Sequence, residues 1–439
     1  MRKSFIFLLA IFVCALGSTA APAQSESNSQ TPNGVSAPSS PAASEPSEAS
    51  VATALPSTDI SSRISEARRL LSSRQTAGTS RDLVTVAAFD TATSQISIFS
   101  LPKNEFLVKD ADLSANTQAG GTVRVHVVRA NGVNTAVTVT DVSTGRQLVP
   151  LLVQFPIVKA GAVSEIAYYT SAHPALVSPG VTEAGKTYVR RMLDAAAGRL
   201  AEDGVPVSPD IVDIAERLCI VEHTDHKRFM NEDHTVLFPE ILSLYALNEG
   251  NTFRYSVSTA GAGGMIQMIP RTYAAISQQH AYVSLQTDFV SGMRNHANAL
   301  EAMLLYMNDT WNNLSQSAEV QEALRTSMAT KPELLAAGYN SNPMRLPVYL
   351  KKGGAQWRTL IPAETQMYLA IYRSIDETVR LGSDSIKTDN NSGRAVGVSN
   401  PSRPLGFAAV LSWLGHSLQP SGLFLGRTLL ICKANPPEI

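Results

Sequence analysis

The spacing of apolar residues changes twice along the chain. Residues 60–71 carry apolar side chains at helical spacing with charges between them. From about residue 82 to 170, apolar and polar residues alternate, which is typical of β-strands, and Asn131-Gly132 predicts a hairpin. From about residue 178 the spacing becomes helical again. The later predicted helices include 239–247, 289–307, 316–328, 331–337 and 362–380.

These periods predict an α+β fold class, with an N-terminal small β-rich domain followed by an all-α domain. The segment from 24 to 58 is rich in Ser, Pro, Ala and Glu, so it cannot bury enough apolar surface to offset its ordering entropy. The predicted segments are a signal peptide at 1–23, a disordered linker at 24–58, a β-rich domain at 59–177, an α-helical domain at 178–382, and a low-complexity and then apolar tail at 383–439.

The first residues have the pattern of an export signal. Arg2 and Lys3 precede an apolar run at 5–16 that is too short to span a bilayer as a mature helix. Ala21-Pro22-Ala23 supplies a small-x-small cleavage site. We therefore expect export to the periplasm or cell envelope, with no stable membrane span in the mature chain.

Charge and cysteine content exclude some classes of partner. The 439 residues carry a formal net charge of −1, so neither a basic excess for nucleic acid nor an acidic tail is present. Cys219 and Cys432 either pair in an oxidising compartment or remain separate buried thiols. His223, His226 and His234 invite a metal hypothesis, but their spacing matches no zinc motif. No metal and no cofactor is predicted.

A glycine-rich segment stands out in the second half of the chain. Gly261, Gly263 and Gly264 allow backbone conformations that other residues avoid and let a ligand approach the main chain. Gln267 follows within an apolar run, where a buried amide needs hydrogen-bond partners. The alternative is a core helix with one satisfied glutamine.

This segment resembles the soluble lytic transglycosylase (SLT) family. Glu249 is followed by Ser258 and then by the run GAGGMIQMIPRT at 261–272, with the spacing of the family's catalytic motif. AAGYNSNP at 336–343 and ETQMYL at 364–369 are similar to two later family motifs and occur in the same order. The resemblance covers roughly residues 205 to 380 and implies a goose-type-lysozyme-like (SLT) fold for the all-α domain.

The resemblance also implies an activity. Members of the family cleave the β-1,4 bond between N-acetylmuramic acid and N-acetylglucosamine in peptidoglycan with one Glu as acid and then base. The sugar's own 6-hydroxyl attacks, and a 1,6-anhydromuramoyl end forms. The residues implied to bind the glycan are Ser258, Gly264, Met265, Gln267, Tyr339, Asn340 and Glu364.

Two glutamates compete for the role of acid. Glu249 has the family spacing and is favoured, although Gly250 replaces the usual Ser. Glu222 ends an amphipathic helix on its buried face, which is also how the family presents its acid.

Two other functions stay open. A hydrolytic muramidase would use a second carboxylate such as Asp288 or Glu301, and a non-catalytic scaffold would bind peptidoglycan without cleaving it.

Overall fold

The computed structural model describes residues 57–73 and 80–381. The predicted signal peptide, nearly all of the linker, the tail and Cys432 lie outside these residues. Ser57 and Thr58, at the end of the predicted linker, already belong to the first helix. All described residues fall in one compact unit.

Seven antiparallel strands form a single curled sheet in the order β2-β1-β6-β5-β4-β3, with β7 paired to β6. They are β1 (Leu83–Asp90), β2 (Gln95–Pro102), β3 (Asp112–Asn116), β4 (Thr122–Arg129), β5 (Ala136–Asp141), β6 (Gln147–Lys159) and β7 (Ala162–Tyr169). The two ends of this order approach each other, since the Gln118 amide donates to the Ile98 carbonyl at 3.0 Å. The sheet is therefore a nearly closed barrel.

Alternation along the strands decides what each face contacts. On β1, Val84 and Val86 point into the main core, whereas Ala87 and Phe89 point to the other face. A helix, α1 (Ser57–Ser72), covers that second face with its apolar stripe. Both faces of β1 are buried for this reason.

Twelve further helices follow α1 in the described chain, and the first of them is a single turn inside the sheet region. They are α2 (Lys103–Phe106), α3 (Pro179–Glu202), α4 (Pro209–Val221), α5 (His226–Asn231), α6 (His234–Asn248), α7 (Pro270–Gln279), α8 (Phe289–Arg294), α9 (His296–Leu314), α10 (Ala318–Arg325), α11 (Lys331–Asn340), α12 (Leu346–Gly353) and α13 (Ala363–Thr378). None of the described helices is long and apolar enough to cross a membrane.

Helix α4 lies at the centre of the helical region. It packs against α3, α6, α9, α11 and α13. Apolar side chains occur around most of its circumference, from Ile211 to Val221, as expected for a helix that is buried on several sides. The last turn of α4 is therefore surrounded by core residues, and the chain leaves the core directly after it.

The predicted fold class, a small β-rich domain followed by an all-α lysozyme-like domain, is wrong. The sheet does precede helices α3 to α13, but one continuous hydrophobic core includes residues of both. The Asn248 side chain, at the end of α6, exchanges two hydrogen bonds of 2.8 Å with the Thr170 backbone directly after β7. Arg129 of β4 also pairs with Glu240 of α6 at 3.1 Å. Alternation and helical periodicity identify elements, but they do not reveal that two regions share a core.

Two predicted elements differ in detail from the structure. The hairpin forms as β4 and β5, but a short 3-10 turn at Gly132–Asn134 connects the strands. The helix predicted at 289–307 is broken at Asn295, whose side chain accepts hydrogen bonds from the amides of Ala297 and Asn298 and so caps a new helix, α9. The sequence period is the same on both sides of this cap, so periodicity alone does not reveal the break.

Candidate functional site

Glu222 terminates α4 at the point where that helix leaves the core. Its backbone amide still donates to the Leu218 carbonyl, so the residue caps the last turn. The Thr224 hydroxyl donates to the Ile220 carbonyl at 2.9 Å and so satisfies one of the last carbonyls of the helix. The Glu222 side chain is partly exposed, whereas the helix before it is buried.

The Glu222 carboxyl group lies close to two tyrosines, Tyr368 and Tyr339. Burial raises its pKa to about 8, a hydrogen bond from Tyr368 acts in the opposite direction, and the nearby charge of Glu364 raises it further. The Tyr368 hydroxyl donates to Oε1 of Glu222 at 2.6 Å. Glu222 therefore holds its proton at neutral pH, and the occupied Oε1 leaves Oε2 as the oxygen that carries it.

The glycine-rich segment forms a compact loop, not the core helix considered above. Gly263 bridges Val257 on one side and Met268 on the other. Gly264 has φ +71°, and a Cβ atom there would lie 2.3 Å from the Met293 carbonyl oxygen of α8. Only glycine allows this close approach between the loop and α8.

Two hydrogen bonds tie the loop to the end of α4 and to α11. The Met265 carbonyl oxygen lies 3.0 Å from Nε2 of His223, which directly follows Glu222. The Ile266 carbonyl accepts from the Tyr339 hydroxyl at 2.8 Å. The charge of Glu222 also contributes to the raised pKa of Tyr339, after burial, so this ring lies close to the carboxyl group. Met265 and Tyr339 thus join Glu222 in one site.

Other predicted binding residues support this site from its edges. Gln267 has φ +45° and its amide donates to the Gly264 carbonyl at 2.8 Å, which closes the turn of the loop. The exposed Ser258 hydroxyl accepts from the Ala262 amide at 3.1 Å. At the end of α11, Asn340 accepts from the buried Thr365 at 2.8 Å. Gln267 and Ser258 therefore shape the loop itself.

Glu249 has different surroundings. It follows the last residue of α6, its φ is +44°, and its side chain is exposed. Its charge acts on Tyr188 of α3, whose pKa is raised to about 12 by burial and by this carboxylate. The hydrogen bonds that join Glu222, His223, Met265, Tyr339 and Tyr368 do not include it. The geometry favours the alternative acid, Glu222, over Glu249.

His223 is a site residue whose role the sequence did not reveal. Its ring stacks on Phe253, with centroids 3.4 Å apart and planes 5° from parallel. Burial lowers its pKa to about 3, so the ring is neutral at physiological pH. The contact joins residues 30 positions apart in the sequence, which no local pattern signals. A neutral ring has a proton on one nitrogen, and Nε2 can donate it to the Met265 carbonyl.

The histidines do not gather at one point. His226 is exposed, and His234 stacks on Phe229 while its ring nitrogens contact Ser374 and the Phe229 carbonyl. Within residues 57–73 and 80–381, no group of three His, Cys, Asp or Glu side chains is arranged to hold a metal ion. Cys219 is a buried free thiol in α4.

Comparison with known proteins gives no match. No family model, no curated protein and no solved structure matches this chain.

Proposed function

We propose that this protein is an exported lytic transglycosylase that cleaves peptidoglycan glycan strands, with Glu222 as its single acid and base. One observation carries the proposal. Glu222 is a carboxyl group with a pKa of about 8, placed at the end of a buried helix beside a glycine-rich loop. A general acid for glycoside cleavage near neutral pH needs this raised pKa. The three motifs that resemble the SLT family supply the substrate class.

In the proposed reaction Glu222 gives up one proton and regains one. Oε2 of Glu222 gives its proton to the bridging oxygen as the bond from that oxygen to C1 of the muramoyl sugar breaks. The resulting carboxylate then takes the proton of the sugar's 6-hydroxyl, and O6 bonds to C1. Glu222 is protonated again, no water is consumed, and the products are a 1,6-anhydro end and a free 4-hydroxyl.

The neighbouring residues have defined tasks in this proposal. Tyr368 holds Oε1 and so fixes the orientation of the carboxyl group. His223 and Tyr339 hold two successive carbonyls of the loop, those of Met265 and Ile266. Loop atoms held in this way do not need to reorganise when the glycan binds.

Hydrolysis is the second candidate, and one observation favours it. Glu364 is exposed in the first turn of α13, and its charge acts on Glu222. It is therefore the carboxylate that would activate a water. Asp288 caps α8 through the Ser291 amide, and Glu301 pairs with Arg199, so both sequence candidates for this role are engaged elsewhere.

Digestion of purified sacculi tests the proposal. The expected products are muropeptides with 1,6-anhydro ends, each lighter by one water than the hydrolysed form in mass spectrometry. If the wild type releases muropeptides with reducing ends and Glu364→Gln does not, the hydrolytic candidate is established instead. A wild-type protein that pellets with sacculi and releases no fragment would leave only the non-catalytic scaffold.

A further inference from the structure

A concave site lies in the helical region, and the proposed reaction does not use it. It is a pocket of about 460 Å³, a volume within the range of small-molecule sites. Tyr188 and Met192 of α3 contribute a ring and a thioether side chain to its mostly polar lining. Arg254 and Arg294 line it as well. We call this site the arginine pocket.

The two guanidinium groups of the arginine pocket are fixed in place. Arg254 and Arg294 contact opposite oxygens of Glu165 at 3.2 and 3.4 Å. Both also lie over the ring of Tyr255, at 5.6 and 5.2 Å from its centroid, and the Tyr255 hydroxyl bonds Glu165 at 2.6 Å. One carboxylate shared by two arginines leaves a net charge of +1 on this group, and Glu249 and Arg191, which both act on Tyr188, add charges of opposite sign. Each guanidinium has five N–H donors, so donors remain for a ligand.

The amino end of α9 adds to this positive field. Asn295 and His296, the cap and first residue of this 19-residue helix, line the pocket, and the helix dipole is positive at this end. The His296 ring bonds the Tyr188 hydroxyl at 2.9 Å and the Thr252 carbonyl at 2.8 Å. Burial lowers the pKa of His296 to about 4, so the ring stays neutral and the arginines supply the charge.

We propose that the arginine pocket binds the carboxylate of a small organic acid whose carbon chain lies against Tyr188 and Met192. The planar guanidinium fork matches a carboxylate geometrically, and the Tyr188 ring and the Met192 side chain are the lining groups that a carbon chain can contact. This site is distinct from Glu222 and goes beyond the proposed glycan cleavage. It remains a binding site whether or not the protein cleaves peptidoglycan.

Titration with glutarate tests the proposal on the full chain. Ligand-observed NMR is expected to show saturable binding of glutarate, with Kd on the order of millimolar. Glutaramide, the neutral isostere, is expected to bind at least about tenfold more weakly because it lacks the charge. Added salt is expected to weaken glutarate binding. Equal binding of glutarate and glutaramide overturns the proposal, as does the absence of saturable glutarate binding.

A matched pair of variants locates the binding. Ser291 is exposed at the pocket, so Ser291→Asp adds a negative charge there, and Ser291→Asn changes shape to the same extent without charge. We expect Ser291→Asp to raise Kd for glutarate about tenfold and Ser291→Asn to leave it within about twofold. Equal Kd values for the two variants would contradict the assignment.

Two further measurements cover the case in which Ser291→Asp does not fold and the case in which the pocket prefers an inorganic anion. If Ser291→Asp does not fold, Arg294→Gln replaces it, since Glu165 keeps Arg254 and Tyr255 as partners. This variant is expected to weaken glutarate binding about tenfold, and unchanged binding overturns the proposal. Inorganic phosphate is the last titrant. Tighter binding of phosphate than of glutarate would show that the pocket does not select a carboxylate.

Discussion

Helices α4 and α6 both end at a glutamate, and the two ends have opposite environments. Glu222 follows a helix that is buried on several sides, and its carboxyl group accepts a hydrogen bond from the buried Tyr368. Glu249 follows α6 with an exposed side chain and a positive φ. Motif spacing favours Glu249, whereas burial and hydrogen bonding favour Glu222.

This difference shows that the surroundings of a carboxyl group decide whether it can act as a general acid near neutral pH. Desolvation is the largest cause of the raised pKa of Glu222, and it comes from packing around the end of α4. The Glu249 side chain is exposed to water. Replacing each glutamate, and then each part of the Glu222 surroundings, tests this comparison.

The largest expected effect comes from Glu222→Gln. Glutamine keeps the size and can still accept from Tyr368, but it cannot give a proton to the glycosidic oxygen. We expect the rate of release of soluble muropeptides from sacculi to fall at least about 10³-fold. Glu249→Gln is the matched control and is expected to stay within about twofold of the wild type. A loss of rate in Glu249→Gln alone would restore Glu249 as the acid.

Gly264→Ala tests whether the loop must lie against α8. An added Cβ would meet the Met293 carbonyl at 2.3 Å, and the positive φ is unfavourable for alanine. We expect a loss of about 3 kcal/mol or more in the free energy of unfolding in urea. Gly261→Ala has a similar φ but open space around its Cβ, so about 1 kcal/mol is expected. Equal losses would mean that contact with α8 does not matter.

Measuring the free energy of unfolding as a function of pH compares the ends of α4 and α6 without any substrate. Burial raises the pKa of Glu222 from an ordinary value of 4.5 to about 8 in the folded state, so between these values the folded state binds more protons than the unfolded state. The contribution of Glu222 to stability therefore falls as pH rises from about 4.5 to about 8, whereas His223 and His296, whose pKa values burial lowers to about 3 and about 4, act in the opposite direction below about pH 6.5.

We expect the unfolding free energy of the wild type minus that of Glu222→Gln to decrease as pH rises over this range, measured by urea unfolding at several pH values. Glu249→Gln removes an exposed carboxylate and is the matched variant. Glu216, a buried residue of α4 with a pKa raised to about 7 by burial, contributes in the same direction. A dependence unchanged by Glu222→Gln would contradict the raised pKa.

The smallest expected effect is that of Tyr368→Phe. Removing the hydroxyl deprives the Glu222 carboxylate of a hydrogen bond, so the pKa of Glu222 rises and the basic limb of the rate profile moves to higher pH. Loss of orientation at Oε1 should lower kcat about tenfold. Tyr372→Phe, one turn later on α13, is the control and should leave the profile unchanged. Identical profiles for both variants would remove Tyr368 from the site.

The sequence by itself determined the local elements and part of the site. Alternation identified the strand region and the β4–β5 hairpin, and helical spacing identified α3, α4 and α13, because these signals depend on neighbouring residues. The three motifs also pointed to residues that the structure does bring together, Met265 and Tyr339 among them.

Tertiary structure decided three matters that no short stretch contains. It merged sheet and helices into one core through pairs such as Asn248 with Thr170. It stacked His223 on Phe253, and it placed the Glu222 carboxyl group against the buried Tyr368, where burial raises its pKa. Each depends on contacts between residues far apart in the sequence, and burial arises only from such contacts. Spacing can nominate a carboxyl group, but only packing sets its proton affinity.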